Sequence, residues 1–548
     1  MKPRTLLVYS APRSGFGDEW MRFLPIGLGY LQSALKEKGH ACRLANLSGF
    51  SRKDALAYFR SQDATVIGIS MFTFNRKRSF ELLTWAREAC PGAVLLAGGP
   101  HPTHLAVEVF QECPALDAIV KGEGELPLLG IVDRMATAPG TELWKRTPGL
   151  ILRDGETLSQ SPLEDLDSIG FPAAHFEADF LDDVGQLAYI STSRGCPATC
   201  NFCNTPEFWG SSIRFRSPNS VLAEIRLLRE KHGLTYTSFR DDTFTANRAR
   251  VMELMHQLQD SGLHQLWNCQ SRVNLVDEER LVAMKRAGCE FMQFGVEHAS
   301  ERVLALLDKG TNMRQARKAL AMVRKVGMNL GVYLITGIPG ETWADVEESA
   351  AFLREVKPHD AQLSPLAIYP GTRLFDQYRA EGRVDRNFFR ATGDAEVFAR
   401  VDAHTERALR HLETVATQVK AKATYTPSEF AAQKEWLGFC AVTNLLCGEA
   451  AEEAGRFGEA EAEYAEIISK EPGNSWGFLK RALLRDQLGR RSEALADLAE
   501  VLRLAPGNPE ASGLWAEWSK GHRKAKGKRP AHGPSAEMKG AEAYFERP

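Results

Sequence analysis

The stretch that decides the fold is TSRGCPATCNFCNTPEFWG, residues 192–210. It carries Cys196, Cys200 and Cys203, separated first by three residues and then by two. Three thiolates this close along a chain can bind one metal centre. A structural zinc site needs four ligands, and neither a second Cys-x-x-Cys pair nor a nearby histidine supplies the fourth. The four-cysteine spacings of ferredoxins are absent as well.

Three cysteine ligands leave one iron of a [4Fe–4S] cluster without a protein ligand. An iron with open positions can bind a substrate or a cofactor directly, as in a catalytic site. The spacing by itself leaves a chance match or a zinc site open. The neighbouring sequence is therefore needed to distinguish an iron–sulfur site from a zinc site or a chance match.

From residue 186 to 385, on both sides of this loop, short apolar strands alternate with helical stretches. Six strand–helix units predict a partial (β/α)6 barrel with its site at the carboxyl ends of the strands. The candidate strands are 187–191, 235–239, 266–271, 291–296, 330–335 and 362–368. The cysteine loop follows the first of them.

Upstream, residues 1–140 show the same alternation with five candidate strands. They predict a doubly wound, flavodoxin-like α/β domain, whose ligand lies beyond the carboxyl ends of the strands. The strands are 5–9, 42–46, 65–70, 94–97 and 118–120. The loops at their carboxyl ends include APRSGFG (11–17), SMFTFN (70–75), GGPHPTH (98–104) and KGEGE (121–125). Residues 141–185 are rich in Pro, Asp and Gly and are predicted to be a linker.

Beyond residue 385 the pattern is all-α, with a predicted helical linker over 386–432. GRFGEAEAEYAEIISKEPGN (455–474) repeats as GRRSEALADLAEVLRLAPGN (489–508), an offset of 34 residues. This period resembles the tetratricopeptide (TPR) repeat, and we predict TPR-like helices over 433–520. Such repeats can bind a peptide or protein partner, or only cap the barrel. The basic tail, 521–548, is predicted to be disordered.

The composition and net charge argue against several classes of protein and partner for this sequence. Apolar residues make up 44% of the 548 residues and charged residues 25%, which is typical of globular proteins. A net charge of −2 gives no bulk positive field, so nucleic acid is not an expected partner. No apolar run is long enough to span a membrane, and the N-terminus lacks the apolar core of a signal peptide. Ten cysteines in 548 residues are too few to suggest a disulfide scaffold, so we expect a cytoplasmic protein.

The cysteine loop, placed after the first strand of a six-unit barrel, resembles the radical S-adenosylmethionine (radical SAM) superfamily. The resemblance implies that Cys196, Cys200 and Cys203 bind a [4Fe–4S] cluster. It also implies that SAM binds the open iron and yields a 5′-deoxyadenosyl radical, with an electron from a donor such as flavodoxin or ferredoxin. The SAM-binding residues that it implies are Phe202, Asp242, Arg272, Glu297, Ile335 and Gly337. The alternative for the three charged residues, Asp242, Arg272 and Glu297, is that they form ion pairs at the strand ends.

These SAM candidates come from motifs that close successive strands. The motifs are RDDTFTAN (240–247), QSR (270–272), FGVEH (294–298) and LITGIPGET (334–342). Arg272 matches a contact to the methionine carboxylate and Asp242 one to the amino group. In the last motif Glu341 lies one position later than the acidic residue of the family's motif. Ile335 and Gly337 are therefore favoured as the SAM contacts.

Ser70-Met71-Phe72 followed by Gly98-Gly99 resembles the cobalamin-binding pattern. A fingerprint for NAD is absent after the first strand. The implied cobalamin contacts are Ser70, Gly98, Gly99, Pro100, Gly122 and Glu123. The family's Asp-x-His-x-x-Gly loop is missing at 11–17, so a lower axial histidine is not expected; His101 and His104 are interpreted as loop histidines. A flavodoxin-like domain without a ligand is the alternative.

Together the motifs resemble the cobalamin-binding radical SAM enzymes, which include methyltransferases and an anaerobic ring cyclase. The implied function is methyl transfer to an unactivated carbon or phosphorus, through an adenosyl radical and methylcobalamin. Cyclisation, rearrangement or oxidation without methyl transfer is the first alternative, and a repeat scaffold with an inert barrel the second. A methylthiotransferase acting on tRNA is disfavoured, because Cys42, Cys90 and Cys113 are too dispersed for a second cluster site.

Overall fold

The computed structural model describes residues 2–11, 23–180, 184–210, 212–385, 387–394, 397, 399–400 and 402–520. The loop 12–17, where the axial-histidine motif is missing, and the tail 521–548 lie outside the described residues. The chain builds two parallel sheets and a helical region, which is the predicted fold class.

The first sheet contains seven strands within the described residues. They are β1 (Arg4–Tyr9), β2 (Ala41–Asn46), β3 (Val66–Ser70), β4 (Val94–Gly98), β5 (Ala118–Val120), β6 (Leu150–Leu152) and β7 (Ala178–Asp179). Their order is β6-β5-β4-β3-β1-β2-β7, with β1 to β5 parallel. The five predicted strands are therefore confirmed, in a doubly wound order.

Helices cover both faces of this sheet. They are α1 (Ile26–Glu37), α2 (Arg52–Gln62), α3 (Arg76–Ala89), α4 (Pro100–His104), α5 (Ala106–Glu112), α6 (Glu125–Thr137) and α7 (Pro172–His175). Successive side chains of β1 enter two different cores, Leu6 and Val8 on one face and Leu7 and Tyr9 on the other. This two-sided burial explains why the strand reads as a continuous apolar run.

The segment 141–185, expected to be a linker, adds a strand at each edge of this sheet. β6 pairs antiparallel with β5, and β7 pairs parallel with β2. Strands of two or three residues have too little periodicity to be recognised in a sequence. Pairing with a preformed sheet edge therefore defines them.

The second sheet is an open, all-parallel barrel of six strands, as predicted. Its strands are β8 (Tyr189–Ile190), β11 (Tyr236–Phe239), β12 (Leu266–Ser271), β13 (Cys289–Glu297), β14 (Asn329–Thr336) and β15 (Asp360–Pro365). They follow one another in chain order across the sheet. Between β8 and β11, β9 (Ser193–Arg194) and β10 (Arg214–Phe215) form a small antiparallel pair.

Six helices bury a continuous core against these strands: α9 (Pro218–His232), α10 (Arg248–Asp260), α11 (Glu278–Arg286), α12 (Glu301–Leu306), α13 (Met313–Val326) and α14 (Trp343–Val356). The short helix α8 (Thr205–Trp209) precedes them, and α15 (Arg373–Ala380) and α16 (Phe388–Ala391) pack in a separate apolar cluster. The next helix, α17 (Ala403–Lys420), lies in the predicted helical linker but places Ala408, Leu412 and Val415 in the barrel core.

The remaining helices cover the amino ends of the barrel strands. They are α18 (Pro427–Leu437), α19 (Ala441–Glu453), α20 (Phe457–Lys470), α21 (Ser475–Gln487), α22 (Arg491–Leu504) and α23 (Pro509–Ser519). Trp476 Nε1 donates to Thr235 O at 3.2 Å, just before β11, and Asn508 Nδ2 donates to Gly233 O at 3.0 Å. This helical region thus lies at the end of the barrel opposite the cysteine loop. Its assignment to the TPR family stays a prediction.

Candidate active site between the two sheets

The cysteine loop lies between β9 and α8 and is fixed by the helices around it. The Asn201 backbone N–H donates to Leu307 O at 3.2 Å, and the Leu374 N–H donates to Asn201 O at 2.8 Å. Gly195 opens the loop with a φ of +100°, where a Cβ would lie 3.0 Å from Ser212 O. A side chain at this position would strain the loop.

Each of the three thiols lies close to a polar group of the protein. Among the described residues, none of them is grouped with other side chains that could bind a metal ion. Cys196 Sγ lies 3.2 Å from Thr243 Oγ1, and the Cys203 thiol donates to Thr205 Oγ1 at 3.3 Å. Burial raises the pKa of the Cys203 thiol. Coordination to iron removes such a proton outright.

The donor set fits an iron–sulfur cluster better than a single ion. In the described part of the chain, no three His, Cys, Asp or Glu side chains converge as ligands of one metal ion. The cysteines of a [4Fe–4S] cluster bind different irons, so such convergence is not required. Arg272 Nη1 lies 3.5 Å from Cys200 Sγ, where its charge can offset that of a cluster held by three thiolates.

Two adjacent aspartates follow β11 and have different roles. Asp241 Oδ1 accepts from the backbone N–H groups of Thr192 and Ser193, at 2.5 and 2.8 Å. Asp241, which the sequence analysis did not single out, therefore holds the chain that enters the cysteine loop. Asp242 accepts from Thr205 Oγ1 at 3.1 Å, and burial raises the pKa of its carboxyl to about 6. Through Thr205 it lies one hydrogen bond from Cys203.

Arg272 and Glu297 are brought together by Lys309, which the sequence analysis missed. Lys309 Nζ lies 2.6 Å from Glu297 Oε1, and its carbonyl oxygen accepts from Arg272 Nη2 at 2.6 Å. Glu297 has a φ of +70°, which is rare outside glycine and is commoner at functional sites. Arg272, Glu297 and Cys200 therefore form one group at the ends of β12 and β13.

The remaining SAM candidates lie farther along the barrel rim. Phe202 and Ile335 pack in the same apolar cluster, which covers the last strands. The Gly337 backbone N–H donates to Glu341 Oε2 at 2.8 Å. Glu341 also accepts from Thr336 and contacts His298, so its carboxylate is fully engaged within the protein.

A cavity of about 510 Å³ separates the carboxyl ends of the two sheets. All six cobalamin candidates line it: Ser70, Gly98, Gly99, Pro100, Gly122 and Glu123. Asp242 and Thr205 line its opposite wall. A Cβ at Gly98 or Gly122 would meet no protein atom closer than 3.8 Å, so these glycines leave width for a ligand. Gly99 instead has a φ of +106° with Met71 O close behind it, and therefore requires glycine.

Glu123 has a second role that the sequence did not show. Its carboxylate pairs with Arg214 of β10 and lies 3.3 Å from Arg194 Nη1. Glu125 Oε1 lies 2.5 Å from Arg194 Nη2. These four side chains are nearly completely buried and form an ionic network that joins the first sheet's KGEGE loop to the chain entering the cysteine loop. We call it the interdomain network.

Neither His101 nor His104 lines this cavity. His101 Nδ1 lies 3.2 Å from Thr73 Oγ1, and burial lowers the pKa of His101 to about 3. His104 packs against Gly371. No histidine among the described residues lines this cavity.

Comparison with known proteins matches each of the two sheet domains to a known family. The Radical SAM superfamily model matches residues 190–353, and the B12 binding domain model matches residues 21–132. An uncharacterized methyltransferase of Pyrococcus horikoshii, PH0819, is 31% identical over 360 residues, covering 64% of this chain and 78% of that protein. The chain belongs to the radical SAM superfamily. It is a member that carries a B12-binding domain, which confirms both the enzyme class and the cofactor predictions.

Other relatives of this radical SAM protein differ in their reactions. The anaerobic magnesium-protoporphyrin IX monomethyl ester cyclase of Cereibacter sphaeroides is 27% identical, over 70% of this chain and 64% of that protein. The cytidylyl-2-hydroxyethylphosphonate methyltransferase of Streptomyces wedmorensis is 26% identical, over 66% of this chain and 79% of that protein.

Solved structures share the fold. TsrM, a radical SAM methyltransferase of Kitasatospora setae solved with cobalamin and a [4Fe–4S] cluster, matches with a TM-score of 0.61. The match covers 78% of this chain and 90% of TsrM at 16% identity. The cobalamin-dependent radical enzyme OxsB matches 96% of this chain with a TM-score of 0.58 and 16% identity, over 82% of OxsB. None of the helices in the described ranges has the length and apolar character needed to cross a membrane.

Proposed function

We propose that this radical SAM protein is a cobalamin-dependent methyltransferase that acts on an unactivated carbon or phosphorus atom. One observation carries the proposal: a single cavity has the cobalamin candidates on one wall and Asp242, beside the cysteine loop, on the other. A substrate between the two walls would face both cofactors at once. The methyltransferases among its relatives support the same reaction.

When bound, the cluster with SAM supplies a 5′-deoxyadenosyl radical and the cobalamin supplies a methyl group. In the proposed arrangement Cys196, Cys200 and Cys203 hold the cluster, and Arg272 offsets its charge at Cys200. Asp242, held by Thr205, binds the amino group of SAM. Apolar side chains of the first domain line much of the cavity, which would reduce the contact of a radical with water once substrate and cofactors fill it.

Two further features support the setting of this reaction. The ten cysteines are all free, which fits a reducing compartment, and we place the protein in the cytoplasm. The cluster needs one electron for each SAM cleaved, and we propose a flavodoxin or ferredoxin as the donor. Neither claim depends on the identity of the substrate.

The test is an anaerobic reconstitution with iron, sulfide and hydroxocobalamin. We expect one [4Fe–4S] cluster and one cobalt per chain. The reduced protein is then mixed with SAM in the absence of substrate. Stoichiometric S-adenosylhomocysteine relative to cobalamin is expected, because methyl transfer to reduced cobalamin leaves this product.

Two variants make this test specific. Cys200→Ala should lose the iron and the cleavage of SAM to 5′-deoxyadenosine, whereas Cys90→Ala, whose thiol donates to Phe59 O in the first domain, should keep both. Formation of 5′-deoxyadenosine without any S-adenosylhomocysteine would overturn methyl transfer. It would favour ring closure or rearrangement, the reaction class of the cyclase relative.

A further inference from the structure

Arg240 is the residue that follows β11 on the barrel wall of the cavity. Its backbone N–H donates to Ile190 O at 2.8 Å, which fixes it at the carboxyl end of the strand. Its guanidinium carbon lies 4.5 Å from the centre of the Tyr189 ring. The side chain is half-buried, and its position is therefore defined by stacking rather than by hydrogen bonds.

The other charged side chains that line this cavity already have partners. Arg194 pairs with Glu125, Glu123 pairs with Arg214, and Asp242 accepts from Thr205. By contrast, the Arg240 guanidinium has no hydrogen bond or ion pair with any residue that the structure describes. A guanidinium has five N–H donors, and leaving them unused in a half-buried site is unfavourable.

The charges on the cavity wall indicate which chemical group would complement Arg240. The interdomain network contains two carboxylates and two guanidinium groups, so it is neutral within itself. Asp242 on the same wall carries the opposite charge, but the proposed function assigns it to the amino group of SAM, which leaves Arg240 without an anionic partner among the described residues. The groups that match a planar guanidinium in both charge and geometry are carboxylates and phosphates.

We propose that Arg240 binds an anionic group, a carboxylate or a phosphate, of the substrate. The assignment of that anion to a substrate rests on the proposed function; the anion site itself does not. The carboxylate of SAM is expected beside Arg272, and the nucleotide phosphate of cobalamin beside the glycines of the opposite wall. Arg240 lines the same cavity as Asn204, Phe208 and Trp209, none of which is assigned to SAM or to cobalamin.

The experiment uses the holoenzyme loaded with cluster, cobalamin and SAM. Inorganic phosphate, sulfate and acetate are titrated into it by calorimetry. We expect wild type to bind at least one of these anions, Arg240→Gln to bind it at least about tenfold more weakly, and Arg240→Lys to fall between them. The matched control is Arg226→Gln, an exposed position on α9 remote from the cavity, and it should bind as wild type.

Three outcomes would overturn the proposal. The first is that wild type binds none of the anions, or that Arg240→Gln binds them equally well. The second is that Arg240→Gln weakens the binding of SAM about tenfold, which would assign Arg240 to the SAM carboxylate. The third is that Arg240→Gln loses cobalamin but retains cobinamide, which lacks the nucleotide phosphate. Formation of S-adenosylhomocysteine by wild type without substrate tests the proposed function separately, so the two failures can be told apart.

Discussion

Replacing Arg194 with methionine tests whether the interdomain network holds the two sheets together. Arg194 lies 2.5 Å from Glu125 and 3.3 Å from Glu123, and its guanidinium carbon lies 5.2 Å from the centre of the Trp209 ring. Both ends of the Arg194–Glu125 pair are only 8% exposed. Breaking a buried pair from one side costs about 3–5 kcal/mol, because the remaining charge is left unpaired. Glu123 keeps Arg214, so we expect the lower value, about 3 kcal/mol.

The assay is urea unfolding of the cofactor-free protein, followed by measurement of bound cobalamin in the reconstituted variant. Adding Glu125→Gln to Arg194→Met should recover part of the loss, because it removes the unpaired carboxylate. Arg317→Met is the matched control, since Arg317 pairs with Glu355 on the surface and should change stability by at most about 1 kcal/mol. A loss below about 1 kcal/mol for Arg194→Met, or no recovery in the double variant, would refute the reasoning.

Three shorter predictions follow from other contacts. Asp241→Asn should reduce iron incorporation several-fold while leaving cobalamin binding intact, because an amide cannot accept all the bonds that now order the entry to the cysteine loop; unchanged iron content would contradict this. Deleting residues 427–548 should yield insoluble or markedly less stable protein, since Phe430 and Trp476 share a core with Leu266 of the barrel; a stable truncated chain in thermal unfolding would show otherwise. Burial lowers the pKa of Lys285 to about 8. An unfolded lysine titrates near about 10.4, so the unfolded state holds more protons between these values and the free energy of unfolding should rise with pH across them, by up to about 3 kcal/mol. Urea unfolding at several pH values should show this rise in wild type and not in Lys285→Met; parallel curves would contradict it.

Most of the strands could be predicted because of how parallel sheets are buried. The inner strands of the first sheet are covered on both faces, and most residues of β12, β13 and β14 are buried, so these strands appear largely as apolar runs between turn signals. β12, for example, was predicted as 266–271 and has those bounds. Short edge strands such as β6 and β7 carry no such pattern, and they exist only because a sheet edge is present to pair with them.

The cofactor class could also be predicted, because the cysteine spacing is local. Cys196, Cys200 and Cys203 lie on one loop of eight residues, and chain connectivity alone keeps three thiols close together. The same is true of Gly98 and Gly99, where a left-handed backbone at Gly99 explains the residue type. The sequence by itself therefore determined the two sheets and the cluster loop, and its resemblance to the radical SAM superfamily indicated the cofactors.

Only the tertiary structure decided which charges are engaged within the protein and which remain free. Glu123 was predicted to contact cobalamin, yet its carboxylate pairs with Arg214, a residue 91 positions along the chain. Glu297 likewise meets Lys309, while Arg240 meets no carboxylate among the described residues. The Glu123–Arg214 pairing depends on how the two sheets dock, because charges far apart in sequence interact strongly only when the fold brings them together and excludes water from between them.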